Sequence, residues 1–399
     1  MPLNLDKVFP QVGGMVDRLQ AERALRQQRL DTARELFGAQ GDNLDALARK
    51  IDLSQTTWLV AGLVNGLDPV YSAPSVPADF AVLATDGSHI DVDRHRSPRC
   101  YLINIGAVAL RYGAAPDAVL DSFPALYSGE EKLVISPEGV RGREVPVEGT
   151  LLGLKRGVDE CCRLARLAAE VPANLPALAL VDGTLVLWGF EGQFDFVTEA
   201  LLERGFLSYL EEVAALNRGG GRIALVSYIS LPRATEVVNV LRLALCPREI
   251  LDTDCCPSCE TRECEAVEEV RDRDLFAGIL APGERSTIFA SRSKIVRERY
   301  GEHAVYFCYV RVDDEIARLE MPGWVAHNPH LLDLAHGLVL DQCRRGQGYP
   351  VALSEAHEQA VVTAADRDNF WALVESLLAG YKLPGASSAK SRSKQTRWV

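Results

Sequence analysis

Phe80-Ala81-Val82-Leu83-Ala84-Thr85-Asp86-Gly87-Ser88 and Ala177-Leu178-Ala179-Leu180-Val181-Asp182-Gly183-Thr184 share one pattern. Each is an apolar run that does not alternate with polar residues, followed by Asp, Gly and a hydroxyl residue. An apolar run of that length, bounded by turn residues, predicts a strand buried on both faces. The Asp-Gly pair predicts a sharp turn at the strand's carboxyl end. Ligand sites in α/β sheets lie beyond such ends, and two carboxylates brought together there are hard oxygen donors suited to Mg²⁺ or Mn²⁺. Each aspartate also has a plainer reading as a turn former.

Outward from these two strands the chain alternates helix and strand. Cys100 to Tyr112 predicts a strand with a bulge at Gly106. A helix over Thr150 to Glu170 is stopped by Pro172, and another over Phe194 to Asn217 is stopped by Gly219-Gly220-Gly221. Strands follow over Arg222–Tyr228, His303–Val312 and Glu315–Trp324, with helices over Ala234–Leu245 and Pro329–Arg345. The carboxyl-terminal part predicts a short strand Pro350–Leu353, then a helix with His357 in its first turn, then a helix over Asp366–Leu378. The pattern is that of an α/β core sheet with antiparallel hairpin character near Cys100. Before it, Val12 to Leu53 predicts helix, interrupted at Gly38 to Asn43, with a thin apolar stripe suited to a pairing arm.

Composition narrows the function classes. The 399 residues are 47% hydrophobic and 25% charged, a globular balance, with no apolar run long enough to span a bilayer. Met1 to Gln20 carries charges throughout, unlike a secretory signal, so the cytoplasm is the expected compartment. A net charge of −12 does not suit a protein that coats nucleic acid through bulk charge. It leaves room for an enzyme that grips a strand locally. The tail from Ser387 to Val399 has Lys390, Arg392, Lys394 and Arg397 and no acid, and reads as a disordered solvated tail.

A metal site needs more than two carboxylates. The helix before the second strand offers Asp159, Glu160 and Glu170. Glu160 lies near the apolar positions Leu154, Val158 and Leu164, as a ligand or as a surface residue reaching outward. His357, near the third predicted strand end, is either an active-site group or a structural histidine. Tyr349 could donate a hydrogen bond to a phosphate, or pack. Arg94, Arg96 and Arg99 follow the first aspartate and could track a nucleic-acid backbone, or lie in a solvated hairpin loop. Cys246, Cys255, Cys256, Cys259 and Cys264 crowd an acidic stretch. In a reducing compartment they suit Zn²⁺ or an iron–sulfur cluster, or stay as plain thiols, because their spacing is not that of a zinc ribbon.

Taken in order, these residues resemble the NurA family of DNA-repair nucleases from about Asp79 to Leu378. The resemblance rests on Asp86-Gly87-Ser88 with Asn104-Ile105-Gly106-Ala107, and on Val181-Asp182-Gly183-Thr184. Ser227-Tyr228-Ile229-Ser230, Ile316-Ala317-Arg318-Leu319-Glu320-Met321-Pro322 and the segment Gly348 to His357 complete it. It implies a ribonuclease-H-like mixed sheet flanked by helices. By that resemblance residues 1–75 form an amino-terminal helical arm, 76–380 the nuclease domain with the Cys-rich insertion 246–274, and 381–399 a basic tail. It further implies a Mn²⁺- or Mg²⁺-dependent deoxyribonuclease, a 5′–3′ exonuclease with single-strand endonuclease activity, acting on single strands and duplex ends in double-strand-break repair. A homodimer docked on a hexameric HerA/FtsK-like ATPase is the implied assembly. Asp86 and Asp182 match the metal-binding aspartates, His357 the active-site histidine, which binds metal or moves a proton, and Tyr349 the tyrosine, with Glu160 standing for the metal-binding glutamate. Two readings compete: a non-catalytic adaptor for a translocase, and a metal-dependent phosphoesterase acting on small substrates.

Overall fold

The computed structural model describes residues 4–39, 44–93, 97–137 and 143–383, apart from the side chain of Cys255. Arg94, Arg96 and the tail Ser387–Val399 therefore lie outside the described residues. The chain is a mixed α/β protein that divides into two compact units. One comprises 1–73, 230–293 and 306–319, and the other 74–229, 294–305 and 320–399. All five candidate site residues from Asp86 to His357 fall in the second unit.

The second unit is built on five strands: β1 (Phe80–Ile90), β2 (Cys100–Tyr112), β3 (Asp117–Ser128), β4 (Ala177–Asp182) and β5 (Ile223–Ile229). They lie in the order β5-β4-β1-β2-β3. The first three form an antiparallel meander, while β4 and β5 run parallel to β1. The helix α1 (Thr150–Glu170) supplies the crossover between β3 and β4 that a parallel neighbour of β1 requires. Its apolar residues Leu151, Val158, Cys161, Leu164, Ala165 and Ala168 fall on one stripe and are buried. It ends just before Pro172, where the restricted backbone of Val171 is extended. Three more helices, α2 (Pro329–Arg345), α3 (Val351–Ala360) and α4 (Ala364–Gly380), close the chain.

Residues 80–85 of β1 are all buried, as its uninterrupted apolar run requires of a strand covered on both faces. Alternation along β1 separates the two covers. Thr85 and Gly87 face α1, where the Thr85 hydroxyl donates to the Glu160 carbonyl at 3.1 Å. Asp86 and Ser88 face α3. The meander's outer strand, β3, was not foreseen. It is mostly exposed and carries Pro124, which an edge strand tolerates.

Three local expectations are corrected. Asp86-Gly87-Ser88 does not turn: β1 runs on to Ile90, because each residue through 90 stays paired with β2. No bulge occurs at Gly106, which sits in continuous register opposite Asp86. Its missing side chain instead makes room for the backbone of α3, since a Cβ there would run into Ala356 O, Ala360 N and Gln359 C. Finally, Pro350–Leu353 is not a strand. Val351–Ala360 is a single helix, and His357 lies in its last turn rather than its first.

In the first unit the amino-terminal segment forms helices over Leu5–Ala39 and Leu44–Leu53. Short strands Gly62–Leu63 and Phe289–Ala290 pair beside Val305–Val312. Ala33, Phe37, Leu47 and Ile51 join a core with Val237, Leu241, Phe276, Phe289 and Tyr309. Asp272, fully buried, accepts hydrogen bonds from the Val237 and Val238 amides at 3.1 and 2.8 Å and from the Tyr309 hydroxyl at 2.7 Å.

Candidate active site

Asp86 enters the site from the middle of β1. Its Oδ1 accepts from the Gly87 amide at 2.7 Å, and His357 Nδ1–H donates to its Oδ2, also at 2.7 Å. The histidine is 63% exposed and the aspartate 19%, so the pair stands at the protein surface with one member sheltered. The position of His357 follows from what holds α3 down. At the end of that helix the Ala360 carbonyl, which no further turn satisfies, accepts from Ser88 Oγ at 2.5 Å and Asn104 Nδ2 at 2.9 Å. The Gln359 carbonyl accepts from Asn104 Nδ2 at 3.2 Å. Ser88 and Asn104 stood inside the quoted motifs without a role, and their role is to anchor the helix that carries His357.

Of the three acids on α1, only Glu160 packs against β1, at Gly87 next to Asp86. Asp159 is engaged elsewhere, with Lys155 at 2.9 Å and the Tyr127 hydroxyl at 3.1 Å, and Glu170 is exposed at the helix end. Glu160 comes so close to β1 that a Cβ on Gly87 would collide with its Oε1. Gly87 is thus required for the close approach of a carboxylate to the strand, not for a turn. The Glu160 side chain is 12% exposed and its carboxyl is pushed up to about 8. Burial is the main cause; Arg156 opposes it, and the charges of Asp86, Asp182 and Asp159 add to it.

Asp182 ends β4, and here the expected turn does form, with Gly183 at φ +83°. It follows Val181, the partner of Thr85 in β1, and is itself paired with Tyr228 of β5. Partial burial and the charge of Asp86 raise the Asp182 carboxyl above its ordinary range, against a hydrogen bond from Tyr349. The Tyr349 ring stands edge-on to that of Tyr228 with centroids 5.5 Å apart. The loop leaving Asp182 is held by two residues that the sequence did not single out for this. Glu320 Oε2, buried, accepts from Thr184 Oγ1 at 2.7 Å and from the Leu185 amide at 2.8 Å. The Tyr300 hydroxyl accepts from the Leu187 amide and donates to the Leu185 carbonyl, both at 2.9 Å.

Among the described residues no group of three or more His, Cys, Asp or Glu is found arranged to hold a metal ion. The Asp86, Glu160 and Asp182 set nevertheless fits one chemically. The charges of Asp86 and Asp182 act on Glu160, and that of Asp86 on Asp182, while Glu160 Oε1 is buried without a hydrogen bond, facing Arg156 Nε at 3.1 Å. A divalent cation would relieve both costs, and oxygen donors suit Mg²⁺ or Mn²⁺. The other metal candidate belongs to the first unit. Cys246 is buried there, and Cys256, Cys259 and Cys264 are partly exposed free thiols. Arg99 is ion-paired with Glu148 at 2.9 Å.

The NurA domain profile matches residues 80–362, most of the chain, and the chain belongs to the NurA family. That is a family of nucleases with a role in DNA repair, which supports a hydrolase acting on nucleic acid. No curated protein matches the chain. Among solved structures, a prototype foamy virus protease–reverse transcriptase is 12% identical with a TM-score of 0.21, over 40% of this chain and 19% of that one. The carboxyl-terminal lobe of a budding yeast Argonaute is 12% identical with a TM-score of 0.22, over 69% and 45%. The chain thus spans less than half the length of either. Likenesses at this level carry no argument about function. No helix among the described residues is long and apolar enough to cross a membrane.

Proposed function

We propose that the chain is a Mn²⁺- or Mg²⁺-dependent deoxyribonuclease on a ribonuclease-H-like core. Its activity is 5′–3′ exonuclease with single-strand endonuclease cutting, used in DNA-end resection. One observation supports the reading: the charges of Asp86 from β1 and Asp182 from β4 both act on Glu160 from α1, and His357 is bonded to Asp86. The strand order, an antiparallel meander joined to two parallel strands through a helix, supports the core assignment. Asp86, Glu160 and Asp182 would hold the cation, with His357 beside them. A bound divalent cation supplies an activated water and stabilises charge on the leaving oxygen of a phosphodiester. His357, exposed and bonded through Nδ1, keeps its other ring nitrogen for moving a proton to or from the reacting oxygens. Tyr349 holds the Asp182 carboxylate in place, and Glu320 and Tyr300 fix the loop behind it.

A HerA-type hexameric translocase as partner, a homodimer and a cytoplasmic setting complete the proposal, on the strength of the family. Incubating the protein with 5′-labelled single- and double-stranded DNA and Mn²⁺, in parallel with Asp86→Ala, tests it. The wild type should release the label as mononucleotide or short fragments and the variant should not. No degradation by the wild type, with or without a translocase, would leave the adaptor reading. Turnover of small phosphate esters alone would leave the phosphoesterase.

A further inference from the structure

The acidic cluster has a cationic border on the α1 side of β1. Arg156 lies one helical turn before Glu160, with its Nε 3.1 Å from Glu160 Oε1. Neither atom makes a hydrogen bond, so the contact is an ion pair through one nitrogen and not a guanidinium forked onto the carboxylate. The Arg156 side chain is 35% exposed, and its Cγ lies 2.9 Å from where a Cβ on Gly87 would be. Two residues on from Gly87, on the same face of β1, comes His89. Its Nδ1 is buried without a hydrogen bond, and its Nε2 is 3.7 Å from Asp91. Arg367, exposed in the first turn of α4, reaches the His89 carbonyl at 3.5 Å. Burial first, then the charges of Arg156 and Arg367, keep the His89 imidazole below its ordinary range, against the pull of Asp91. Two guanidinium groups therefore flank one imidazole beside the carboxylates, in a chain of net charge −12.

We propose that Arg156 and Arg367 bind backbone phosphates of the nucleic-acid strand, seating it along the end of β1 beside Asp86 and Glu160. The proposal rests on the nuclease reading and adds the substrate-holding residues to it. Guanidinium is the side chain best matched to phosphate, offering two parallel donors and a charge that pH does not remove. The site is sequence-independent, since nothing in the pair addresses a base. The neighbouring carboxylates repel a strand, so a local countercharge is what lets an acidic protein place a phosphodiester over them.

Fluorescence anisotropy with 5′-labelled single-stranded DNA in EDTA tests this without hydrolysis. Affinity is measured from 50 to 200 mM salt for the wild type, Arg156→Gln, Arg156→Lys, Arg367→Gln and the double Arg156→Gln/Arg367→Gln. Arg166→Gln, exposed on the same helix, is the charge-matched control. Each lost phosphate contact should flatten the slope of log affinity against log salt by roughly 0.7, and the double variant by roughly 1.4. Arg156→Lys and Arg166→Gln should keep the wild-type slope. A double variant with the wild-type slope, or an equal flattening in Arg166→Gln, overturns the proposal while leaving the nuclease reading intact. A wild type that binds no DNA in EDTA overturns the proposal, while cleavage in Mn²⁺ decides the nuclease reading separately. Melting curves in the same buffer separate a lost contact from a lost fold.

Discussion

Gly106→Ala should destabilise the nuclease unit and misplace His357, although it adds one methyl group to a strand. Gly106 lies inside β2 opposite Asp86, in regular pairing. In an open strand the exchange would favour folding by about 0.5–1 kcal/mol, because alanine loses less conformational freedom than glycine. Here the new Cβ meets backbone atoms of α3: the Ala356 carbonyl oxygen, Ala360 N at 2.5 Å and Gln359 C at 2.9 Å. Ordinary contact begins near 3.4 Å, so α3 must lift by about 1 Å. Overpacking of this kind costs about 1–3 kcal/mol. At roughly 2–4 °C per kcal/mol for a unit of this size, the melting temperature should fall by about 2–12 °C. The lift also strains the bonds from Ser88 and Asn104 to Ala360 and carries His357 away from Asp86. A displacement of about 1 Å at reacting groups can lower turnover by about 100-fold. Circular-dichroism melts and Mn²⁺-dependent DNA cleavage measure both effects. Gly157→Ala, in α1 with nothing within 4 Å of its Cβ, is the matched control and should gain about 1 kcal/mol. A Gly106→Ala protein that melts at or above the wild-type temperature and cuts DNA normally would refute the packing argument.

Mn²⁺ at about 100 times its dissociation constant should add about 2.7 kcal/mol to stability relative to EDTA. Asp86→Ala and Asp182→Ala should lose that increment, and calorimetric melts showing it unchanged would remove these residues from the cation site. Glu320→Ala strands the buried Leu185 amide, at about 1–3 kcal/mol, and removes the acceptor of the exposed Thr184 hydroxyl. Urea unfolding should show the loss, and cleavage should fall because the Asp182 turn loosens; wild-type values for both would count against the support role. His303 is held below its ordinary range by burial first, then by Arg218, against the pull of Glu211 and Glu302. The unfolded chain then binds a proton near pH 6.5 that the folded one refuses, so stability falls as pH drops through that value. His303→Gln should flatten the pH 5–7 part of the stability curve, and an unchanged curve would assign the slope to other groups.

The local sequence determined which segments could be strands and helices. Five or six apolar residues in a row can only be buried on both sides, so Phe80–Thr85 and Ala177–Val181 were legible as central strands. The stripe of Leu151 to Ala168 and the stop at Pro172 made α1 legible to its ends. Helix and strand are harder to separate in a short run such as Pro350–Leu353, where the following Ser-Glu-Ala-His-Glu-Gln continues one helix. Asp-Gly likewise predicts a turn from local preference, yet pairing of β1 with β2 through Ile90 overrides it at Asp86 and leaves it standing at Asp182. The sequence already offered Glu160 ahead of Asp159 and Glu170, but only the tertiary structure shows it lying against β1, because that depends on which helix face meets Gly87. The tertiary structure also gave Gly87 and Gly106 their meaning as close approaches, and made Ser88, Asn104, Glu320 and Tyr300 supports of residues far away in the chain. Periodicity is written along the chain and can be read there. The direction in which a carboxylate points, and what presses against it, arises from packing between segments that no local pattern records.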